Sequence, residues 1–327
     1  MTDPTPIYRS DLLASGITSD ELRQALRSGA LTPVAPGAYL RRAEADALDD
    51  VARHRVRARC VQHTLGWDAV LSHVTAALFH GADLWNPDLS RIHITRDRRS
   101  GGRRTDNLHV HPAPIAREEI YVVGGAAVTS PARTIVDLAR SLTVDEAVIA
   151  GDSLLRRYPS ALVGIPAALD AAALRAGVAS ARRVVDFLDG RSESAGESLG
   201  RLRLRSAGIP EPSLQRELYT PDGTFVARVD FFWEELGIVG EFDGMGKYGA
   251  GDPASTAESV RREKLREDAI RALGFEVVRW TWAELFRFDV VADRFARAVE
   301  RARHPHPPTT KTQARCIPRA TVPPARG

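Results

Sequence analysis

The chain has 327 residues, 43% apolar and 27% charged, with a formal net charge of +3. That length suggests two or three domains, and the composition fits a soluble globular protein with real cores. No apolar run reaches the roughly 18–20 residues of a membrane helix, and the opening MTDPTPIYRSDLL has no basic stretch leading into an apolar core, so neither a membrane anchor nor a secretory signal is expected.

Residues 5–45 read as a small winged helix. IYRSDLLASG is a short helix closed by Gly16. ITSDELRQALRSG offers Thr18 or Ser19 as N-cap, acids in the first turn, Leu22 and Leu26 four apart, and Gly29 as the stop. LTPVAPGAYL then gives two short strands about a Pro-Gly turn. Residues 1–50 hold five Arg against eight acids, a charge of −3, which argues against strong DNA affinity for this segment and leaves a protein-interaction role open.

Residues 46–160 read as an α/β domain. ALDDVARHRVRARCVQHTL is an Arg-studded helix, either a solvated face or one that tracks phosphates. AVLSHVTAALFHG is an apolar helix. RIHITRD and NLHVHPAP alternate as strands, and AAVTSPARTIVDLAR is a strand, a turn and a helix starting near Pro131. His73, His80, His93, His109 and His111 match no zinc spacing, and no Cys or nearby acid joins them, so they read as core or surface histidines. Cys60 and Cys316 are too far apart to suggest a disulfide framework or a metal clip, and a reducing cytoplasm is the expected setting.

The run LLASGITSDELRQALRSGALTPVAPGAYL, then VLSHVTAALFHG, then VTSPARTIVDLA, resembles the AbiEi family of abortive-infection, type IV antitoxin-like proteins over residues 5–155. In that family a winged helix precedes an α/β domain, and members are linked to repression of their own operon and to toxin neutralisation. The resemblance implies a DNA-facing or interaction role and a cognate toxin as a class of partner, without identifying one.

Residues 161–184 read as a helical linker, and 185–300 as a second domain of order α-β-β-β-α-β. Ser194 caps a helix over 195–206 that places Glu197 and Arg201 four apart. SLQRELY, FVARVDFFW, LGIVGEFDG and FEVVRWTW are strands, with the helix AESVRREKLREDAIRALG before the last. Alternation points Glu241 and Asp243 the same way, and a hairpin about Glu234–Gly237 brings Asp230 beside Glu241. Carboxylates among apolar strands are costly to bury unless paired or metal-bound. Asp230 and Glu241 suit Mg2+ or Mn2+, with Asp243 as a third ligand or as the residue that orients water, Lys247 steering phosphate at the mouth, and Glu197 closing the cluster. Pairing of Asp230 with Arg228 or with an Arg of the 261–271 helix is the alternative. Trp280 and Trp282 read as core aromatics rather than base-stacking platforms.

RVDFFWEELGIVGEFDGMGKYG and EKLREDAIRALGFEVVRWTW resemble the PD-(D/E)XK nuclease superfamily in its very-short-patch-repair (Vsr)-like branch, over residues 185–290. The resemblance implies a restriction-endonuclease-like domain, with Asp230 and Glu241 as the metal pair, Asp243 in the third motif position and Glu197 as the helix acid. The superfamily usually has Lys where this chain has Asp243, and Lys247 is a candidate substitute. Three functions stand open: a Mg2+-dependent DNA endonuclease or nickase in defence or DNA maintenance; a DNA-binding regulator or antitoxin whose nuclease fold is inactive; or an interaction module with no nucleic-acid role, which the acidic balance of residues 1–300 favours.

Residues 301–327 carry six Lys/Arg and no acid, which leaves residues 1–300 at −3. This Pro-rich stretch holds few large apolar residues and reads as a disordered basic tail, either simply solvated or a non-specific phosphate-binding arm.

Overall fold

The computed structural model describes residues 3–244, 253–303 and 315–316. It is a mixed α/β chain of two compact units, residues 1–190 and 191–327.

The first unit opens with β1 (Ile7–Tyr8), α1 (Arg9–Ala14), α2 (Ser19–Arg27), β2 (Leu31–Ala35) and β3 (Ala38–Arg41), whose strands pair antiparallel in the order β1-β3-β2. Thr18 starts α2: its hydroxyl accepts from the Glu21 amide, and the Glu21 carboxylate accepts from the Thr18 amide at 2.8 Å. This reciprocal box satisfies two amides that a helix start leaves unpaired. After α3 (Arg42–Asp46), α4 (Asp50–Leu65) runs with Asp49 as its cap. The arginines of α4 are partly spoken for, since Asp3 receives a two-pronged bond from Arg55 at 2.8 and 2.6 Å and lies 3.3 Å from Arg59.

A six-stranded sheet follows, in the order β6 (Arg103–Arg104), β7 (Leu108–Pro112), β5 (Ile92–Arg96), β4 (Val70–Leu71), β9 (Ala126–Thr129), β8 (Ile120–Val123). The pairs β5–β7 and β4–β9 are parallel and the others antiparallel. Its helices are α5 (His73–Phe79), α6 (Pro131–Ser141), α7 (Val144–Arg157), α8 (Ala161–Ala171) and α9 (Val178–Val185). Residues 161–184, expected as a linker, are no spacer: Ala161, Ile165, Ala168 and Ala172 bury in one apolar cluster with Ile135, Val136 and Leu138 of α6. Small residues there bring helices close, a use of alanine that a turn-rich stretch hides. The boundary between the units therefore falls after Gly190.

The second unit comprises α10 (Ala195–Ser206), β10 (Ser213–Tyr219), β11 (Phe225–Trp233), β12 (Ile238–Asp243), α11 (Pro253–Ala272), β13 (Glu276–Thr281), α12 (Trp282–Leu285), α13 (Asp289–Arg303) and β14 (Arg315–Cys316). The sheet order is β13-β12-β11-β10-β14, antiparallel except for the parallel pair β12–β13 that α11 connects. Trp280 is wholly buried against Phe231, with ring centres 4.9 Å apart, so it serves the core. The expected tail lies mostly outside the described residues. Among the described residues, no helix is long and apolar enough to cross a membrane.

Candidate functional site

Two of the carboxylates expected at the site, Asp230 and Glu241, stand in one row across the sheet of the second unit. Leu214 and Arg216 pair with Phe231 and Val229, which sets Gln215 opposite Asp230. Phe231 pairs with Gly240, and one step on sets Asp230 opposite Glu241. Glu241 in turn pairs with Arg279 on the parallel strand. The row Gln215–Asp230–Glu241–Arg279 thus crosses β10, β11, β12 and β13. Period-two alternation keeps the four on one face, and Arg266 of α11 reaches that face to bond Glu241.

Each member is held. Asp230 Oδ2 accepts from the Phe242 amide at 3.0 Å, and its Oδ1 accepts from Gln215 Nε2 at 3.3 Å. The same Gln215 nitrogen donates to Glu197 Oε2 at 2.9 Å, so one amide links the helix acid to the strand acid. Gln215 does this from a backbone φ of 51°, a left-handed conformation that costs an ordinary side chain energy. Glu197 is buried just inside α10, where the Glu193 amide at 2.8 Å and the Ser194 hydroxyl at 2.8 Å both donate to it. Gly196 lets the helix approach this closely, because a Cβ there would overlap the Phe242 ring. Burial, and then the neighbouring Asp230 charge, raises the Glu197 pKa.

Glu241 is 3% exposed. Its Oε2 meets Arg266 Nη2 at 2.5 Å and Arg279 Nη1 at 3.4 Å, while its Oε1 is buried without a hydrogen-bond partner. Burial pushes its pKa up to about 7; Arg266 and Arg279 oppose that, and Asp230 and Glu263 add to it. Desolvation therefore outweighs two guanidiniums. Asp243, two residues along β12 from Glu241, is engaged by a cation. Arg279 grips both its oxygens, Nε at 2.9 Å and Nη2 at 2.5 Å, so it joins the cluster through a cation rather than as a third acid beside Asp230 and Glu241. Arg279 also meets Glu263 at 2.6 Å. Despite burial working the other way, Arg266 and Arg279 hold Glu263 down to about 2. Lys247 lies outside the described residues. Of the arginines expected for Asp230, Arg228 pairs with Glu193 at 2.9 and 2.6 Å, and Arg266 takes Glu241.

Sequence reasoning missed Gln215 and Arg279. Both follow from register, and the only advance signal was their alternation within SLQRELY and FEVVRWTW. It also set the histidines aside. Yet in the first unit His73, His93 and His111 place their ligand-type nitrogens within 4.8 Å of one another, and among the described residues they are the group of three or more potential ligands gathered so closely.

No family model matches the chain. It is 32% identical over 293 residues to two proteins of Mycobacterium tuberculosis, Uncharacterized protein MT2308 of strain CDC 1551 / Oshkosh and Uncharacterized protein Rv2248 of strain ATCC 25618 / H37Rv, covering 88% of this chain and 99% of each of theirs. The chain belongs to the family of these mycobacterial proteins. The crystal structure of RV2827C protein from Mycobacterium tuberculosis aligns with a TM-score of 0.32 and 17% identity, covering 57% of this chain and 77% of that one.

Proposed function

We propose that the second unit is a restriction-endonuclease-like, metal-dependent DNA endonuclease or nickase, carried behind an AbiEi-like winged-helix and α/β unit. The observation that carries this reading is the orphaned, buried Oε1 of Glu241, on the strand beside Asp230. A buried oxygen with no donor, on a carboxyl pushed up toward neutrality, fits a cation that would complete its shell. Asp230 and Glu241 fit the one or two carboxylates by which Mg2+ or Mn2+ is usually held. Bound there, the ion would supply a Lewis acid that activates water and offsets phosphodiester charge.

The chain's own residues do the rest. Gln215 and the Phe242 amide aim Asp230, while Ser194 and the Glu193 amide fix Glu197 behind it. Arg279, reaching both Asp243 and Glu241, supplies positive charge close to where the resembled superfamily usually has lysine. The same clamp favours the second reading, a DNA-binding regulator or antitoxin with an inactive nuclease fold, because it withdraws Asp243 from metal binding.

The test is incubation of the purified protein with supercoiled, linear and single-stranded DNA in Mg2+, Mn2+ or EDTA, beside Asp230→Ala and Glu241→Ala. Metal-dependent cutting lost in both variants supports the nuclease. Absence of cutting in every lane, with metal-independent binding to its own promoter, selects the regulator.

A further inference from the structure

His73, His93 and His111 come from three elements that the first unit brings together. His93 lies on β5 and His111 on β7, parallel neighbours in which His93 pairs with His109 and Thr95 with His111. His73 opens α5 directly after Ser72, which follows β4. The rings lie close: His73 to His111 at 3.8 Å between centres, His93 to His111 at 5.2 Å, and His109 tilted beside His111 at 3.8 Å. His93 Nδ1 and His111 Nε2 point at each other across 3.1 Å.

We propose that His73, His93 and His111 form a three-imidazole site for a divalent transition-metal ion of the zinc class, with an open coordination position toward the adjoining cavity. Four observations support it. First, two imidazole nitrogens bound to one tetrahedral ion at about 2.0–2.1 Å lie about 3.3–3.4 Å apart. The 3.1 Å His93–His111 contact is near that spacing, and the third ligand atom lies within 4.8 Å of both. An ion there would replace the shared proton. Second, the ligands are packed away from water, and burial lowers the pKa of all three rings, with Asp88 pulling His93 the other way. Burial thus disfavours the imidazolium form that competes with metal. Third, His73 is a non-glycine residue at φ 52°, 4% exposed, with its Nδ1 3.0 Å from the Ser72 hydroxyl. A strained backbone that seats one ring, and a hydroxyl that fixes its second nitrogen, are what a ligand with an oriented outer partner needs. Fourth, a cavity of about 270 Å³ opens onto His93, His109 and His111, its charged lining balanced between Asp88 and Glu146 on one side and Arg91 and Arg104 on the other. Three protein ligands beside an accessible cavity are the pattern of a site that keeps one position for an exogenous ligand. All-imidazole donors select transition ions over Mg2+, so this site is distinct in chemistry from the carboxylates of the second unit.

The test is titration of the untagged full chain, stripped with chelator, with Co2+ followed by visible absorption and with Zn2+ in competition. Expected are one Co2+ per chain with a tetrahedral spectrum, displacement by Zn2+ and none by Mg2+. His93→Gln and His111→Gln are each expected to weaken Co2+ binding more than the about 10- to 100-fold that loss of an outer partner costs, while His304→Ala/His306→Ala, in the terminal segment, leaves it unchanged. Binding lost in the His304/His306 variant and kept in the other two overturns the site, as does a wild-type chain that binds no Co2+. If His93→Gln or His111→Gln fails to fold, X-ray absorption of the Zn2+-loaded wild type decides: three imidazole nitrogens at about 2.0–2.1 Å uphold the site, and one or none overturns it.

Discussion

Arg279 on β13 and Asp243 on β12 face each other in a two-pronged ion pair, Nε 2.9 Å from one carboxylate oxygen and Nη2 2.5 Å from the other. The guanidinium is shared further, with Glu263 at 2.6 Å and with Glu241 and Glu267 at 3.4 Å. One cation therefore serves four carboxylates, and the cluster is organised on Arg279 more than on any acid.

That arrangement sets an order of costs. Asp243→Asn leaves Arg279 three partners and should cost about 1.5 kcal/mol, the range of a bond to a charged group. Arg279→Met strands Asp243, leaves Glu263 to Arg266 and brings Glu241 nearer to neutrality, so up to about 3 kcal/mol is expected for this half-buried pair, the low end for breaking a buried one. Urea midpoints measure both. A larger loss for Asp243→Asn than for Arg279→Met would show that the network is not centred on the arginine.

Glu241 makes stability fall with rising pH. Its carboxyl titrates near 7 in the folded chain against an ordinary value of 4.5. Between those values the folded state holds a proton that the unfolded state has lost, so metal-free stability declines as pH rises through that window and is level above it. Glu241→Gln cannot ionise. Its stability relative to wild type should climb from pH 4.5 to pH 7, by up to about 3 kcal/mol. The measurement is a urea midpoint for both proteins in EDTA at four pH values. A difference that is constant or falls with pH would mean that Arg266 and Arg279 win and Glu241 stays ionised.

Much of the second unit was legible in the chain because its signals are local. The alternation in LGIVGEFDG put Glu241 and Asp243 on one face, and Ser194 marked the start of a helix that runs over Ala195–Ser206. What was not legible depends on pairing between distant segments. Arg279 meets Asp243 through parallel register, and Arg266 comes from a helix whose several arginines look alike in sequence. The histidines were hidden for the same reason. His73, His93 and His111 are about twenty residues apart, and a motif search for zinc ligands favours short spacings. The i, i+2 pair in LHVH was the available clue that two rings share a face. Linker and core are likewise hard to separate in 161–184, where alanine fills both roles.

The seat of α10 on the sheet should be sensitive to one methyl group. A Cβ at Gly196 would run into Phe242, whose own amide holds Asp230. Gly196→Ala must move the ring or the helix, at about 1–3 kcal/mol of overpacking, although alanine is the better helix former. Under the proposed nuclease reading the same variant should cut more slowly than wild type, since Glu197 follows directly. A thermal melt checks the first expectation, and a variant at least as stable as wild type would show that α10 has room to give.

The first unit carries a buried charge network of its own. Arg133 is 1% exposed and Asp137 wholly buried, one turn apart on α6 and bonded at 3.0 Å; Arg133 also reaches Glu119 at 3.1 Å, and Arg140 reaches Asp137 at 3.3 Å. Burial raises the Asp137 pKa, against the pull of Arg133 and Arg140, so the pair is tied together by the cost of leaving either charge alone. Arg133→Met should therefore cost about 3–5 kcal/mol, by leaving buried Asp137 to Arg140 alone and Glu119 without its guanidinium. Adding Asp137→Asn to that variant removes the buried acid, so the double variant should be destabilised by less than the sum of the two single changes, with a coupling of about 1–3 kcal/mol. Urea denaturation of the four proteins closes this cycle. Simple additivity would mean that Arg140 alone suffices to hold Asp137 and that Arg133 acts mainly on Glu119.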